Sequence, residues 1–179
     1  MTVSGALQDV LERSLRVLKA AGMATVEADP EWPSPCEYGT PDENGEVHWR
    51  PVAIETAPDF RSLEAAISEP LHPDLKSFYG SYWSGPVEAR HGKEVVLLQT
   101  VWNPEDLSRT QKAIADHVQS RRAALGGTAT VFVASTDSDL FFSVDNRTGE
   151  VLLEEPGFPP HGIAAPSLGE FLAALRVGE

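Results

Sequence analysis

The chain lacks a second cysteine. Cys36 stands alone among 179 residues, so no internal disulfide can form, and a reducing compartment fits. It also lacks any apolar run near the roughly 20 residues a membrane-spanning helix needs. The N-terminus does not follow the basic-then-apolar order of a secretion signal, because Glu12, Arg13, Arg16 and Lys19 interrupt its apolar residues. Positive charge is scarce: 14 Lys and Arg face 27 Asp and Glu, a net charge of −13. Such a field repels phosphate-rich surfaces, which argues against nucleic acid or anionic lipid as direct partners. Motifs of catalysis are missing too. His48, His72, His91, His117 and His161 are scattered, with no HExxH and no cysteine at ligand spacing. There is no GxSxG elbow, Walker loop or GxGxxG, and Ser135–Asp139 lacks the glycine and closing glutamate of a calcium loop. The expectation is a protein with no catalytic residue, no metal and no cofactor, hence not an enzyme.

What remains describes an ordinary globular chain, 41% apolar and 23% charged. Its length suits one core, and a single domain over 1–179 is expected. Leu7, Leu11, Leu15 and Leu18 recur at helical spacing within residues 3–22. Residues 27–46 hold Pro30, Pro33, Pro35 and Pro41 and read as a long loop, anchored by Trp32, Cys36 and Tyr38. Free cysteines favour the interior, so Cys36 is expected as a buried structural thiol. A strand is expected over 46–54 with Val47 and Trp49 on one face, broken at Pro51. Short helices follow, one capped by Asp59 and one starting near Pro73.

The sharpest local signal is Val95–Trp102, an apolar run that reads as a strand buried on both faces. It leads straight into Asn103-Pro104-Glu105-Asp106, an N-cap, a proline at the first helical position and two first-turn acids. That helix is expected to run to about Leu125, stopped by Gly126-Gly127. Residues 87–90 are expected to form a hairpin with the strand, and strands follow at 128–135, 140–145 and 150–154. Residues 155–166 read as a loop, and Ser167 with Glu170 forms a capping box for a last helix.

The acid excess is local. Residues 23–75 carry twelve carboxylates against two bases, Arg50 and Arg61, a net of −10. Residues 76–126 carry seven bases against five acids. A field of this kind serves solubility, and it also attracts basic protein segments.

Specific residues then point to a family. Pro33-Ser34-Pro35-Cys36, Trp49-Arg50-Pro51, His72 through Phe78-Tyr79, Gly85, Leu97-Leu98-Gln99-Thr100 leading to Asp106, Ser143-Val144, Gly149-Glu150-Val151, and Leu168, Glu170, Phe171 and Leu172 occur in that order. With these the chain resembles the Syd family, bacterial proteins that bind the translocon subunit SecY. The N-terminal helix and residues 157–166 stand outside the resemblance. The resemblance implies a SUKH-superfamily α+β fold, a single mixed β-sheet flanked by helices. It implies a cytoplasmic protein, held peripherally on the inner membrane through SecY, whose acidic surface meets the basic cytoplasmic loops of SecY. On that implication the partner-binding residues are expected to be Glu37, Glu55, Asp59, Glu64, Glu69 and Asp74, with Tyr38 and Trp49 as apolar anchors. Core packing is the competing place for Trp49. SUKH-superfamily members also serve as immunity proteins, so the alternative is neutralisation of a basic nuclease toxin.

Overall fold

The computed structural model describes residues 2–178. Its first element is α1 (Val3–Ala20), whose leucine stripe sinks Leu7, Val10 and Leu11 into the interior. Thr2 caps it, its hydroxyl oxygen accepting the Gly5 amide at 3.2 Å. A short strand precedes the expected proline-rich loop of residues 27–46, and a second is set into it. β1 (Thr25–Glu27) and β2 (Glu37–Tyr38) pair antiparallel on either side of β3 (Glu46–Trp49) in a three-stranded sheet. Pro51 ends β3 as expected, and β4 (Val52–Ala53) begins a separate two-stranded sheet with β5 (Tyr82–Trp83).

Between those strands lie α2 (Arg61–Ile67) and α3 (Pro73–Ser81). Phe60 occupies the N-cap position of α2; Asp59, expected there, sits one residue earlier and accepts the Arg61 amide at 2.9 Å. His72 caps α3, its ring Nδ1 accepting the Asp74 amide at 3.2 Å. Its own amide donates to Asn146 Oδ1 at 2.7 Å, so this histidine splices α3 to a distant turn.

The principal sheet comprises β6 (Val87–His91), β7 (Glu94–Leu98), β8 (Thr130–Thr136), β9 (Phe141–Asp145), β10 (Val151–Glu154) and β11 (Gly162–Ala165). Its order is β11-β10-β9-β8-β7-β6, antiparallel at every step, and a parallel bridge joins Trp83 to Val101 beside it. The α+β class is the one expected, with the strands divided among three sheets where a single sheet was expected. β11 arises within the stretch expected to be loop: Ile163 is exposed there, and pairing to Leu152, not apolar patterning, makes it a strand.

Two helical layers enclose the principal sheet. α1 and α3 pack with α5 (Leu168–Ala174) on one face, where Phe142 meets Phe171 at 4.9 Å. On the other face lies α4 (Pro104–Leu125), packed against β8 and α2. The core is one cluster running from Val3 to Leu175.

The coverage is uneven, and this corrects one expectation. The strand leading to α4 ends at Leu98, and it is not buried on both faces. Val96 and Leu98 are 0% and 3% exposed, yet Leu97 between them is 46% exposed. Leu97 pairs across with Ser135 and shares the face of Phe141, the α4 face. Helix α4 covers the β8–β10 half, through His117 against Phe132 and Phe141 and Arg121 against Glu154, and leaves the β7 end open.

Candidate functional site

That opening is the floor of a cleft. Its volume is about 360 Å³, and Leu97, Gln99 and Trp102 lie across the bottom. One wall comes from β1, the following turn and β2, which supply Glu27, Asp29, Trp32 and Glu37; Asp106 of α4 faces them. No Lys, Arg or His is among the lining residues. Among the described residues, Glu27, Asp29 and Glu37 form no ion pair. Asp106 has an internal role, accepting the Trp102 amide at 2.8 Å. The cleft therefore offers three carboxylates without an ion-pair partner over an apolar floor, Asp29 also accepting the Glu31 amide at 2.9 Å.

The local sequence holds this wall rigid. Ser34 donates to the Trp102 carbonyl at 2.5 Å and accepts the Cys36 amide at 3.0 Å, while Asn103 Nδ2 donates to the Pro33 carbonyl at 3.0 Å. The Pro33–Cys36 segment is thereby pinned as a ridge on the strand-to-helix junction. Trp32 is fixed as well, because the Arg109 guanidinium stands 4.2 Å over its ring and pairs with Glu105 at 2.7 Å. Below the ridge, Trp49 meets Trp102 edge-on at 6.1 Å. Gly85 makes room for it: a Cβ there would stand 2.9 Å from the indole. Cys36 is 1% exposed, and burial pushes its thiol up to about 11.

On the other side of the ridge lies a second groove of about 700 Å³, between residues 52–59 and the first two turns of α4. Pro35, Glu55, Asp59 and Trp83 belong to it.

The eight residues expected to bind a partner are not brought together. Glu37 lines the first cleft, and Tyr38 beside it is 38% exposed, stacked on His48 with Arg50 over its ring at 5.2 Å. Glu55 and Asp59 line the second groove, and the Arg61 side chain, hydrogen-bonded to Asp59, holds that carboxyl down to about 2. Trp49 is 2% exposed, so it is core and not a surface anchor; β3 alternates, and Trp102 and Gly85 cover the face that carries Trp49. Glu64 and Glu69 are spoken for inside the fold. Glu64 pairs with Lys76 at 2.6 Å and accepts the Leu71 amide at 2.8 Å, which lowers its pKa. Glu69 pairs with Arg122 at 3.3 Å and accepts from Asn146 at 3.1 Å. Asp74 is the half-buried first-turn acid of α3.

Of the residues described in the cleft, Glu37 alone is among the expected partner residues; Glu27, Asp29, Leu97 and Trp102 are not. The two acids lie in the −10 segment, but only the pairing of β1 with β3 sets them opposite Leu97. Among the described residues, no group of three or more His, Cys, Asp or Glu is placed to hold a metal ion. No helix there is long and apolar enough to cross a membrane.

Comparison with known proteins converges on one family. A family model described as Syd protein (SUKH-2) matches residues 4–176. A protein from Pseudoalteromonas atlantica named Protein Syd is 38% identical over 180 residues, covering 98% of this chain and 96% of that one. Proteins of the same name from Colwellia psychrerythraea and Alteromonas mediterranea are 37% and 32% identical, covering 86% and 98% of this chain and 80% and 96% of their own lengths.

Proposed function

As the chain belongs to the Syd family, we propose that it binds SecY, its acid-rimmed cleft receiving basic cytoplasmic loops of that translocon subunit and so restraining or monitoring translocation. It does so from the cytoplasm, held at the inner membrane only through its partner. The observation that carries this reading is the cleft itself: Glu27, Asp29 and Glu37 stand unpaired around Leu97 and Trp102, with no base among the lining residues. Cytoplasmic loops of membrane proteins are rich in Lys and Arg, and complementary charge chiefly accelerates encounter and fixes register. The apolar floor supplies the desolvated centre that holds a complex once formed.

The test is retention of SecY from detergent-solubilised bacterial membranes by the immobilised chain. Retention is expected at low salt and should fall as salt screens the carboxylates. Replacing Glu27, Asp29 and Glu37 together by Gln, Asn and Gln should slow association by about tenfold at low salt. A chain that leaves SecY behind while retaining a soluble basic nuclease would replace this reading with immunity.

A further inference from the structure

The second groove has no role in the reading above. Its wall is a continuous run of backbone, residues 52–59, and the facing wall is Pro104, Leu107, Ser108 and Gln111, successive positions on one side of α4. Seven residues of helical rise make that wall about 10 Å long. Gln111 ties the two walls at one end, donating to the Asp59 carbonyl at 3.3 Å. The groove is thus an elongated trough.

Its floor is apolar and partly open. Val52 and Ile54 project to one face of β4 and its extension, and Trp83, paired with Val52, shares that face. All three are half-buried, whereas Leu107 at the helix side is 5% exposed. Pro35, Pro58 and Pro104 stand in the walls, so the trough is pre-shaped and little chain entropy is lost in filling it. The charged residues lining it are Glu55 and Asp59, both acids. Arg61 occupies Asp59, at 2.7 Å, while Glu55 is exposed and has no ion-pair partner among the described residues.

We propose that this trough is a second binding site, taking an extended peptide segment that places bulky apolar side chains beside a lysine or arginine. The apolar side chains seat on Val52, Ile54 and Trp83, and the cation meets Glu55. The shape selects an extended chain, and the charge selects a basic one. The site is separated from the first cleft by the pinned Pro33–Cys36 ridge and stands whichever protein supplies the segment.

The experiment is chemical-shift mapping of the ¹⁵N-labelled full chain, titrated with the capped peptide Lys-Ser-Leu-Ser-Leu-Ser-Lys. Saturable shifts are expected at residues 52–55, at the Trp83 indole and at 104–111. Glu55→Lys, at an exposed and unpaired position, should weaken binding about tenfold, as should replacing the peptide's lysines by glutamate. Ser108→Trp, from an exposed helix position, should fill the trough and abolish the shifts. The chain neutralised at Glu27, Asp29 and Glu37 should still bind, which separates a failure here from a failure of the SecY reading. No saturation up to about 1 mM peptide, shifts confined to Trp32 and Leu97, or affinity indifferent to Glu55→Lys would each overturn the proposal.

Discussion

At the scale of single residues, burial and pairing sort the acidic and aromatic side chains more sharply than their types do. Glu64 and Glu69 look from the sequence like free members of an acidic surface. In the fold they neutralise Lys76 and Arg122 and accept backbone or amide donors. Reversing them would break internal contacts and so could not report on a partner. Asn146, within a glycosylation-like triplet, is likewise internal: it is 7% exposed and donates to Glu69 and to the Pro70 carbonyl. Cys36 behaves as expected of a buried thiol. With its pKa pushed up to about 11, only about one molecule in a thousand carries a thiolate at pH 8, and the thiolate is the reactive form. The native chain should therefore react with Ellman's reagent at pH 8 at least about a hundredfold more slowly than the urea-unfolded chain. Equal rates would show that the Pro33–Cys36 ridge opens readily.

At the scale of elements, the junction of β7 and α4 has two duties. Asn103 accepts the Asp106 amide at 2.8 Å as an N-cap, and it also donates to Pro33 at 3.0 Å. Asn103→Ala removes both bonds and should cost about 2 kcal/mol in urea denaturation, one cap plus one partly buried hydrogen bond. Asn103→Asp keeps the acceptor and loses the donor, so it should cost about half as much. Equal losses would mean that the cap carries nothing. The element that misled the sequence reading is the strand before this junction. Val95 to Leu98 is uniformly apolar, and no residue-level pattern distinguishes a strand covered on both faces from one whose second face lines a cleft. The missing information is where α4 stops covering the sheet, a matter of packing.

At the scale of the whole molecule, each face of the principal sheet holds a half-buried imidazole. His91 lies between Phe142 and Phe171, at 5.4 and 4.8 Å, on the α1–α5 side. His117 lies against Phe132 and Phe141 on the α4 side, with Thr130 Oγ1 3.4 Å away. Burial lowers both pKa values; at His117 the Glu154 carboxylate raises the value in part and Arg121 lowers it further. The unfolded chain then binds more protons than the folded one below the ordinary histidine value of about 6.5. This stability is complete above that pH and is lost as the pH falls through the lowered folded values. The urea midpoint should accordingly drop between pH 7.5 and 5.5, and the drop should be smaller in a His91→Gln, His117→Gln double variant. A midpoint that stays flat across that range in the parent chain would contradict the desolvation of both rings.

The helices with strong caps, the β hairpin, the break at Pro51, the concentration of acid in residues 23–75 and the family were all legible in the order of residues. Each of these depends on neighbours along the chain or on residue identity. That order does not show that Trp49 is interior, that Glu64 and Glu69 are paired, that residues 162–165 form a strand, or that Leu97 is the floor of a cleft. Those follow from contacts between segments far apart in sequence: β1 against β3, α2 against α4, and a helix that covers one half of a sheet and not the other.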